Sequence, residues 1–129
     1  MAALKAPPIP CGSCPYRTDV PSGIWHPDEY AKLVEYDNET HAQPFAVFMC
    51  HQRDGNLCGG WLACHDKDNL LALRIARVDP SVFDYVSPVP VFKSGREAAE
   101  HGMRDVSGPS PKAEKMISGL IRKRRIITA

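Results

Sequence analysis

The sequence has no long apolar run and almost no excess of charge. Its longest apolar stretch, residues 45–50, is about a third of the roughly twenty residues that a membrane-spanning helix needs. The formal net charge is +1, so the chain as a whole is not a polycation built to bind nucleic acid. The first residues lack the apolar segment of a secretory signal. We therefore expect no membrane segment and a cytoplasmic protein.

The sequence also lacks the common catalytic and nucleotide-binding motifs. It contains no P-loop, no dinucleotide-binding glycine motif and no G-x-S-x-G. A zinc deaminase is excluded because its H-x-E motif must precede P-C-x-x-C, and too little chain precedes Pro10. His65, Asp66 and Asp68 suggest an acid–base or hard-metal site, but helix capping by either Asp explains them more simply. These absences favour a protein that is not an enzyme, without excluding one.

Length and composition are those of one small globular domain. The chain has 129 residues, of which 43% are hydrophobic and 24% are charged. We predict an α+β fold of mostly helices and loops with short strands, organised around a metal centre bound by four cysteines. Within it, residues 1–10 form an extended lead-in, 11–106 the metal-binding domain, and 107–129 a linker with a basic C-terminal helix.

Local signals predict several elements. Helices should begin at Pro27, after a capping box formed by Ser94 and Glu97, and after Ser110. Residues 68–77 are the clearest helical stretch. Residues 45–49 are the best strand candidate, because they are short, aromatic and β-branched. An Asp-Gly pair at 54–55 predicts that the chain reverses after that strand.

Five cysteines in a cytoplasmic protein point to metal or redox chemistry rather than to disulfides. Cys11 and Cys14 form a C-x2-C pair, whose thiolates can converge on one ion or cluster. Cys50 and Cys58 flank the predicted reversal, so their sulfurs can reach the same side. The four together predict a closed four-sulfur site that holds the N-terminus to the body. The alternative is that these are buried reduced cysteines acting as small hydrophobic residues.

Other side chains are candidates for alternative ligands or for neighbours of the site. A packed thiol is the simpler interpretation of the fifth cysteine, two histidines directly follow a cysteine, and two tryptophans lie near the cysteine segments and could shield a cluster. These residues are Cys64, His51, His65, Trp25 and Trp61.

Spacing does not by itself separate zinc from iron–sulfur, since both accept four thiolates. Only the first pair has the short C-x2-C spacing. Seven residues separate Cys50 from Cys58, whereas the second pair of ligands in many zinc sites is as closely spaced as the first. Pro15 directly follows a candidate ligand, as in ferredoxin-type clusters. We favour a [4Fe–4S] cluster, with zinc as the alternative. A thiol–disulfide enzyme is a weaker hypothesis, because no strand precedes the C-x2-C pair.

Four motifs carry a family resemblance. They are C-x-x-C-P-Y-R at 11–17, V-P-S-G-I-W at 20–25, F-M-C-H-Q at 48–52 and C-G-G-W-L at 58–62. In this order they resemble a family of small proteins of unknown function from actinobacteria and their phages, over residues 10–105. The resemblance brings no activity, but it implies that the four cysteines belong together.

A second similarity is to the WhiB-like iron–sulfur transcription regulators. They combine a C-x-x-C-P-x-R segment with a Gly-Val/Ile-Trp turn and a basic C-terminal stretch, which residues 11–17, 23–25 and 122–125 echo. Here the remaining cysteines follow the tryptophan, which departs from that family's order. The similarity implies a redox-sensing or regulatory role and, as partners, protein or DNA of the transcription machinery.

The basic tail is the main asymmetry of charge. Residues 112–129 carry six Lys or Arg against one acid, a net +5, which leaves −4 on the rest. Lys and Arg contacts to phosphate would give salt-sensitive binding to nucleic acid. The alternative is a solvated helix end, where basic residues are favourable. The candidate contacts are Arg122, Lys123, Arg124 and Arg125.

Overall fold

The computed structural model describes residues 3–50, 52 and 55–128. Over that part of the chain, short helices alternate with loops. The α-helices are α1 (Pro27–Glu35), α2 (Gly59–Cys64), α3 (Leu71–Ile75), α4 (Gly95–Met103) and α5 (Pro111–Thr128), and 3₁₀ turns cover Thr40–Ala42, Lys67–Asn69 and Pro80–Asp84. None of the described helices has both the length and the apolar character needed to cross a membrane.

The predicted α+β single domain is confirmed, with very little β-structure. Pairing among the described residues consists of isolated bridges, which join Leu4 to Val78, Lys5 to Asn56, Arg17 to Val91 and Met49 to Leu57. The first two are parallel, so the N-terminal segment lies between two later segments. Within residues 3–10, Pro7 and Pro10 are fully buried in the body of the domain.

The predicted strand at 45–49 is wrong, because only Met49 forms a bridge. Phe45 at its start is 75% exposed, so it gains little from a paired, packed position. The carbonyl of Ala46 accepts a hydrogen bond of 2.7 Å from the Tyr36 hydroxyl instead of from a neighbouring strand. The Tyr36 hydroxyl thus takes the place of the backbone amide that a neighbouring strand would have supplied to the Ala46 carbonyl.

The predicted helix starts at Pro27 and after Ser94 are confirmed. Ser94 Oγ accepts a hydrogen bond from the Glu97 amide at 3.1 Å, as an N-cap residue should. α1 and α4 then pack closely on each other. A Cβ atom at Gly95 would lie 1.9 Å from the carbonyl oxygen of Leu33, so glycine is required at this contact.

The predicted helix over 68–77 is interrupted. A 3₁₀ turn, Lys67–Asn69, precedes the five-residue α3, and Leu70 between them is extended. Leu70 is 1% exposed, so its side chain is directed into the core at the point where the helix breaks. Burial of this residue outweighs the local helical pattern.

The hydrophobic core surrounds two of the candidate ligands. Cys14 and Cys58 lie in one cluster with Tyr16, Leu57 and Trp61. α5 begins as predicted, with Ser110 Oγ accepting from the Ala113 amide at 3.1 Å. Its first half contributes Ala113, Met116 and Ile117 to a smaller second cluster. Their partners there are Val20, Ile24 and Trp25.

Candidate metal centre

The C-x2-C pair lies in a tight turn that the rest of the chain holds in place. The Cys14 amide donates to the Cys11 carbonyl at 3.0 Å, which closes the turn. Ser13 inside the turn is 1% exposed, and its carbonyl accepts a hydrogen bond of 2.8 Å from Trp25 Nε1. Arg17 donates to the carbonyl of Pro10 at 2.9 Å on the entry side. Hydrogen bonds from other parts of the chain therefore hold both sides of the turn.

The chain reversal between the second two cysteines is also present. Gly55 has φ +79°, a conformation that favours glycine, and lies at the turn. The amide of Cys50 donates to Asn56 at 2.9 Å, and the amide of Cys58 donates to Phe48 at 2.8 Å. The predicted pairing across residues 50–58 is confirmed, although Asp54 lies outside the described residues.

One cysteine from each pair meets in the core. The sulfurs of Cys14 and Cys58 are 3.6 Å apart, and the residues are 1% and 3% exposed. All five cysteines are free thiols. The first pair and the second pair therefore do reach one another across 44 residues of sequence.

Cys11 lies near enough to act electrostatically on this pair, and Cys50 lies near enough to act on Cys11. Burial, together with the charges of Cys14 and Cys50, raises the pKa of the Cys11 thiol to about 11. The pKa of Cys58 is raised well above its usual value by burial, by the Cys14 sulfur and by the charge of Cys11. Each predicted ligand thus interacts with at least one other member of the set.

Backbone amides surround the buried sulfur of Cys14. Its pKa is lowered first by the hydrogen bond from Cys58, and then by amides of Tyr16, Gly60 and Arg17, although burial opposes this. A Cβ at Gly60 would lie 2.5 Å from Cys14 Sγ, so only glycine lets this backbone approach the sulfur. The chemistry of this donor set fits a thiolate ligand, because amide donors stabilise the charged sulfur that a metal requires.

The residues predicted as alternative ligands or as neighbours of the site lie in different parts of the fold. Trp25 holds the cysteine turn, whereas Trp61 is fully buried in the core beside Tyr36, at a ring-centroid distance of 5.3 Å. Cys64 is half-buried at the end of α2, and burial raises its pKa to about 12. It lines another cavity with His65, although the charge of Cys14 also contributes to its raised pKa. His51 falls outside the described residues.

That other cavity has a volume of about 700 Å³. The imidazole of His65 lies at its inner wall with its side chain 10% exposed. Nδ1 is 3.9 Å from Asp37, and Nε2 is 3.5 Å from the hydroxyl of Tyr16. Burial lowers the pKa of His65, and the charge of Asp37 acts in the opposite direction.

The basic tail is helical through most of its length, as part of α5. Arg122 is exposed, which suits either a solvated helix end or a contact with phosphate. The side chains of Lys123, Arg124 and Arg125 lie outside what the structure describes. Binding of nucleic acid by these residues stays a prediction.

Two polar atoms in the described core have no hydrogen-bond partner. They are Nε1 of Trp61 and the hydroxyl of Tyr85. Sequence reasoning missed Tyr85 altogether, because an isolated tyrosine in a proline-rich segment carries no local signal. Among the described residues, no group of three or more His, Cys, Asp or Glu side chains lies close enough together to hold a metal ion.

A family model covers nearly the whole chain. The model of DUF6283, described as a family of unknown function, matches residues 6–125. This span contains all five cysteines and both tryptophans. Searches of curated proteins and of solved structures found no match.

Proposed function

The chain belongs to the DUF6283 family, which has no known function, and we propose that it is a metal-binding protein with a redox-sensing or structural role. Cys11, Cys14, Cys50 and Cys58 would hold the metal as thiolates, and the group that suits them best is a [4Fe–4S] cluster. The observation that carries the proposal of a shared metal, of either kind, is the approach of the Cys14 and Cys58 sulfurs to 3.6 Å in the core. The two cysteines are 44 residues apart in the sequence, so local geometry alone does not bring their sulfurs together.

The surroundings of Cys14 support a metal ligand over a packed thiol at this position, whereas burial raises the pKa of Cys11 and Cys58. A cysteine that serves only as a small hydrophobic residue is buried in apolar surroundings, which raise its pKa. Cys14 is buried, yet its pKa is lowered by Cys58 and by the amides of Tyr16 and Gly60. A stabilised thiolate in a core is useful when a cation neutralises it.

Aromatic packing supports a cluster in particular. Tyr16 is fully buried beside Cys14 and meets Phe48 edge-on, with ring centroids 6.1 Å apart. Trp61, also fully buried, follows Cys58 by one turn of α2. Such a shell excludes water, and solvent exposure and hydrogen bonds to sulfur are main determinants of a cluster's reduction potential. The bound cluster would supply reversible one-electron chemistry.

The residues of the chain would bind, orient and shield. Trp25 would keep the Cys11–Cys14 turn in position through Ser13, and Gly60 would supply an amide to the Cys14 sulfur. Cys50 lines a surface groove of about 470 Å³, so small oxidants would reach it from solvent. Loss of that ligand would be the first step expected of a redox sensor of this design.

Zinc is the second candidate, and one distance favours it. With Zn–S bonds of about 2.3 Å, two ligands of a tetrahedral ion lie about 3.8 Å apart. The observed separation of Cys14 and Cys58 is 3.6 Å. In a cubane cluster each cysteine binds a different iron atom, so ligand sulfurs are usually farther apart.

A regulatory role can accompany either the iron–sulfur or the zinc proposal. The similarity to iron–sulfur transcription regulators and the exposed Arg122 on α5 support contact with DNA or with transcription proteins. Such binding would rest on phosphate contacts and would weaken as salt is added.

Purification without oxygen, followed by iron, sulfide and zinc analysis and an absorption spectrum, tests the proposal. We expect four irons and four sulfides per chain, with broad visible absorption that dithionite bleaches. Replacing Cys14 or Cys58 with Ser should abolish the cluster, and C64A is the matched control that should retain it. Stoichiometric zinc without iron would contradict the iron–sulfur proposal and support the zinc proposal. Neither metal in freshly purified protein would refute both.

A further inference from the structure

The thiols of Cys14 and Cys58 are in contact inside the core. Both are reduced, and their sulfurs are 3.6 Å apart. A disulfide bond is about 2.05 Å long, so the two sulfurs need to approach by only about 1.5 Å to form one. Small rotations about the two Cα–Cβ bonds cover a distance of this size. The fold therefore holds the two thiols close to bonding distance.

The other cysteines of the same two segments have different neighbours. Cys11 Sγ lies 3.8 Å from the hydroxyl oxygen of Ser13. Cys64, at the end of α2, lines the cavity of about 700 Å³. Each segment thus carries two cysteines, and the fold brings one cysteine of each segment into contact with the other.

We propose that Cys14 and Cys58 form a reversible disulfide when the metal-free chain is exposed to hydrogen peroxide. Peroxide oxidises one of the two thiols to a sulfenic acid and is itself reduced, with release of one water molecule. The second sulfur then attacks the first, so that the S–S bond forms and the S–O bond breaks. The leaving hydroxide takes the proton of the second thiol and departs as a second water molecule. The inference concerns the thiols themselves and does not require the metal centre.

The contact favours the disulfide over deeper oxidation. A sulfenic acid beside a thiol condenses within the molecule, whereas a sulfinic acid needs a second peroxide from solution. Cys14 and Cys58 are 1% and 3% exposed, so solvent has little access to the intermediate. Burial also favours peroxide as the oxidant, because it is little larger than water and a bulky disulfide reagent is not.

The bond would change what the two sulfurs can bind. It would join the N-terminal segment to the residue that precedes α2, across 44 residues of sequence. A disulfide sulfur offers no thiolate, and the thiolate is the form that binds metal. Oxidation and metal binding at Cys14 and Cys58 therefore exclude each other.

Peptide mapping of the full chain tests this inference. The protein is incubated with EDTA, treated with a few equivalents of hydrogen peroxide, blocked with N-ethylmaleimide and digested with trypsin without reductant. Trypsin releases peptides 6–17 and 54–67, which carry two cysteines each. We expect most chains to yield these two peptides joined, with a mass two hydrogens below their sum, and dithiothreitol to separate them.

Variants assign the bond. C14S and C58S should each abolish the joined peptide. The double variant C11S/C64S is the matched control that should retain it, because Cys14 and Cys58 are then the remaining cysteines of the two peptides. This control keeps the test decisive even where a serine in the core prevents folding.

Two results would overturn the inference. One is wild-type protein that accumulates sulfinic acid or stays reduced without any joined peptide. The other is loss of the joined peptide in C11S/C64S, which would assign the bond to a different pair. Iron, sulfide and zinc contents of untreated wild type test the metal proposal separately, so either proposal can fail without the other.

Discussion

The indole nitrogen of Trp25 donates a hydrogen bond of 2.8 Å to the carbonyl of Ser13. Ser13 lies between Cys11 and Cys14, and Trp25 also packs against the cluster that anchors α5. One side chain therefore connects the first pair of candidate ligands to the C-terminal helix. A change in the cysteine turn has a direct structural route to α5.

The variant W25F tests this connection. It keeps an aromatic ring but removes the donor, so the buried Ser13 carbonyl loses its partner. We expect unfolding in urea to require about 1–2 kcal/mol less free energy than for wild type. Metal should also dissociate faster from the loosened turn. Unchanged stability together with unchanged metal retention would show that the indole nitrogen does not hold the turn.

Gly60 should be intolerant of a side chain. The variant G60A would place a methyl group 2.5 Å from both Cys14 Sγ and Tyr16 Cβ, in a part of the core that cannot give way cheaply. We expect a loss of about 3 kcal/mol in the free energy of unfolding, measured by chemical denaturation, and a sharply lower metal content. G12A is the matched control, because a Cβ at Gly12 meets nothing within 4 Å. Equal behaviour of the two variants would contradict the close approach of α2 to the sulfur.

The contact between α1 and α4 depends on Gly95. In G95A the added methyl group would lie 1.9 Å from the backbone oxygen of Leu33, so the helices must separate. We expect a loss of about 3 kcal/mol, seen as a lower midpoint of thermal unfolding. G108A should unfold near the wild-type temperature, since a Cβ there is in open space. A wild-type midpoint for G95A would mean that this helix contact is looser than the structure has it.

Stability should fall as the pH is lowered below about 6.5, partly through His65. Burial lowers its pKa in the folded state from 6.5, so the unfolded chain binds the proton more readily. His65 therefore stabilises the fold above the unfolded pKa, and this contribution is lost as the pH falls through the folded pKa. Urea unfolding at a series of pH values measures the slope, which H65Q should make shallower between pH 7 and 5. An identical slope in the variant would show that another group titrates in this window.

Local rules predicted the helix ends well. Pro27, Ser94 and Ser110 are each signals that act within one turn, so a reader of the sequence can recognise them without tertiary information. The strand at 45–49 and the continuous helix at 68–77 were wrong for the opposite reason. Their outcome depended on distant partners: the hydroxyl of Tyr36 bonds to Ala46, and the core buries Leu70.

The candidate site shows the same division. The sequence by itself determined which sulfurs were available, and it predicted the turn at Cys11–Cys14 and the chain reversal at Gly55 from local signals. Only the tertiary structure decided that Cys14 meets Cys58, that backbone amides surround the Cys14 sulfur, and that the hydroxyl of Tyr85 is buried without a partner among the described residues. Those relationships arise from packing between segments far apart in the chain, and no short-range pattern encodes such packing.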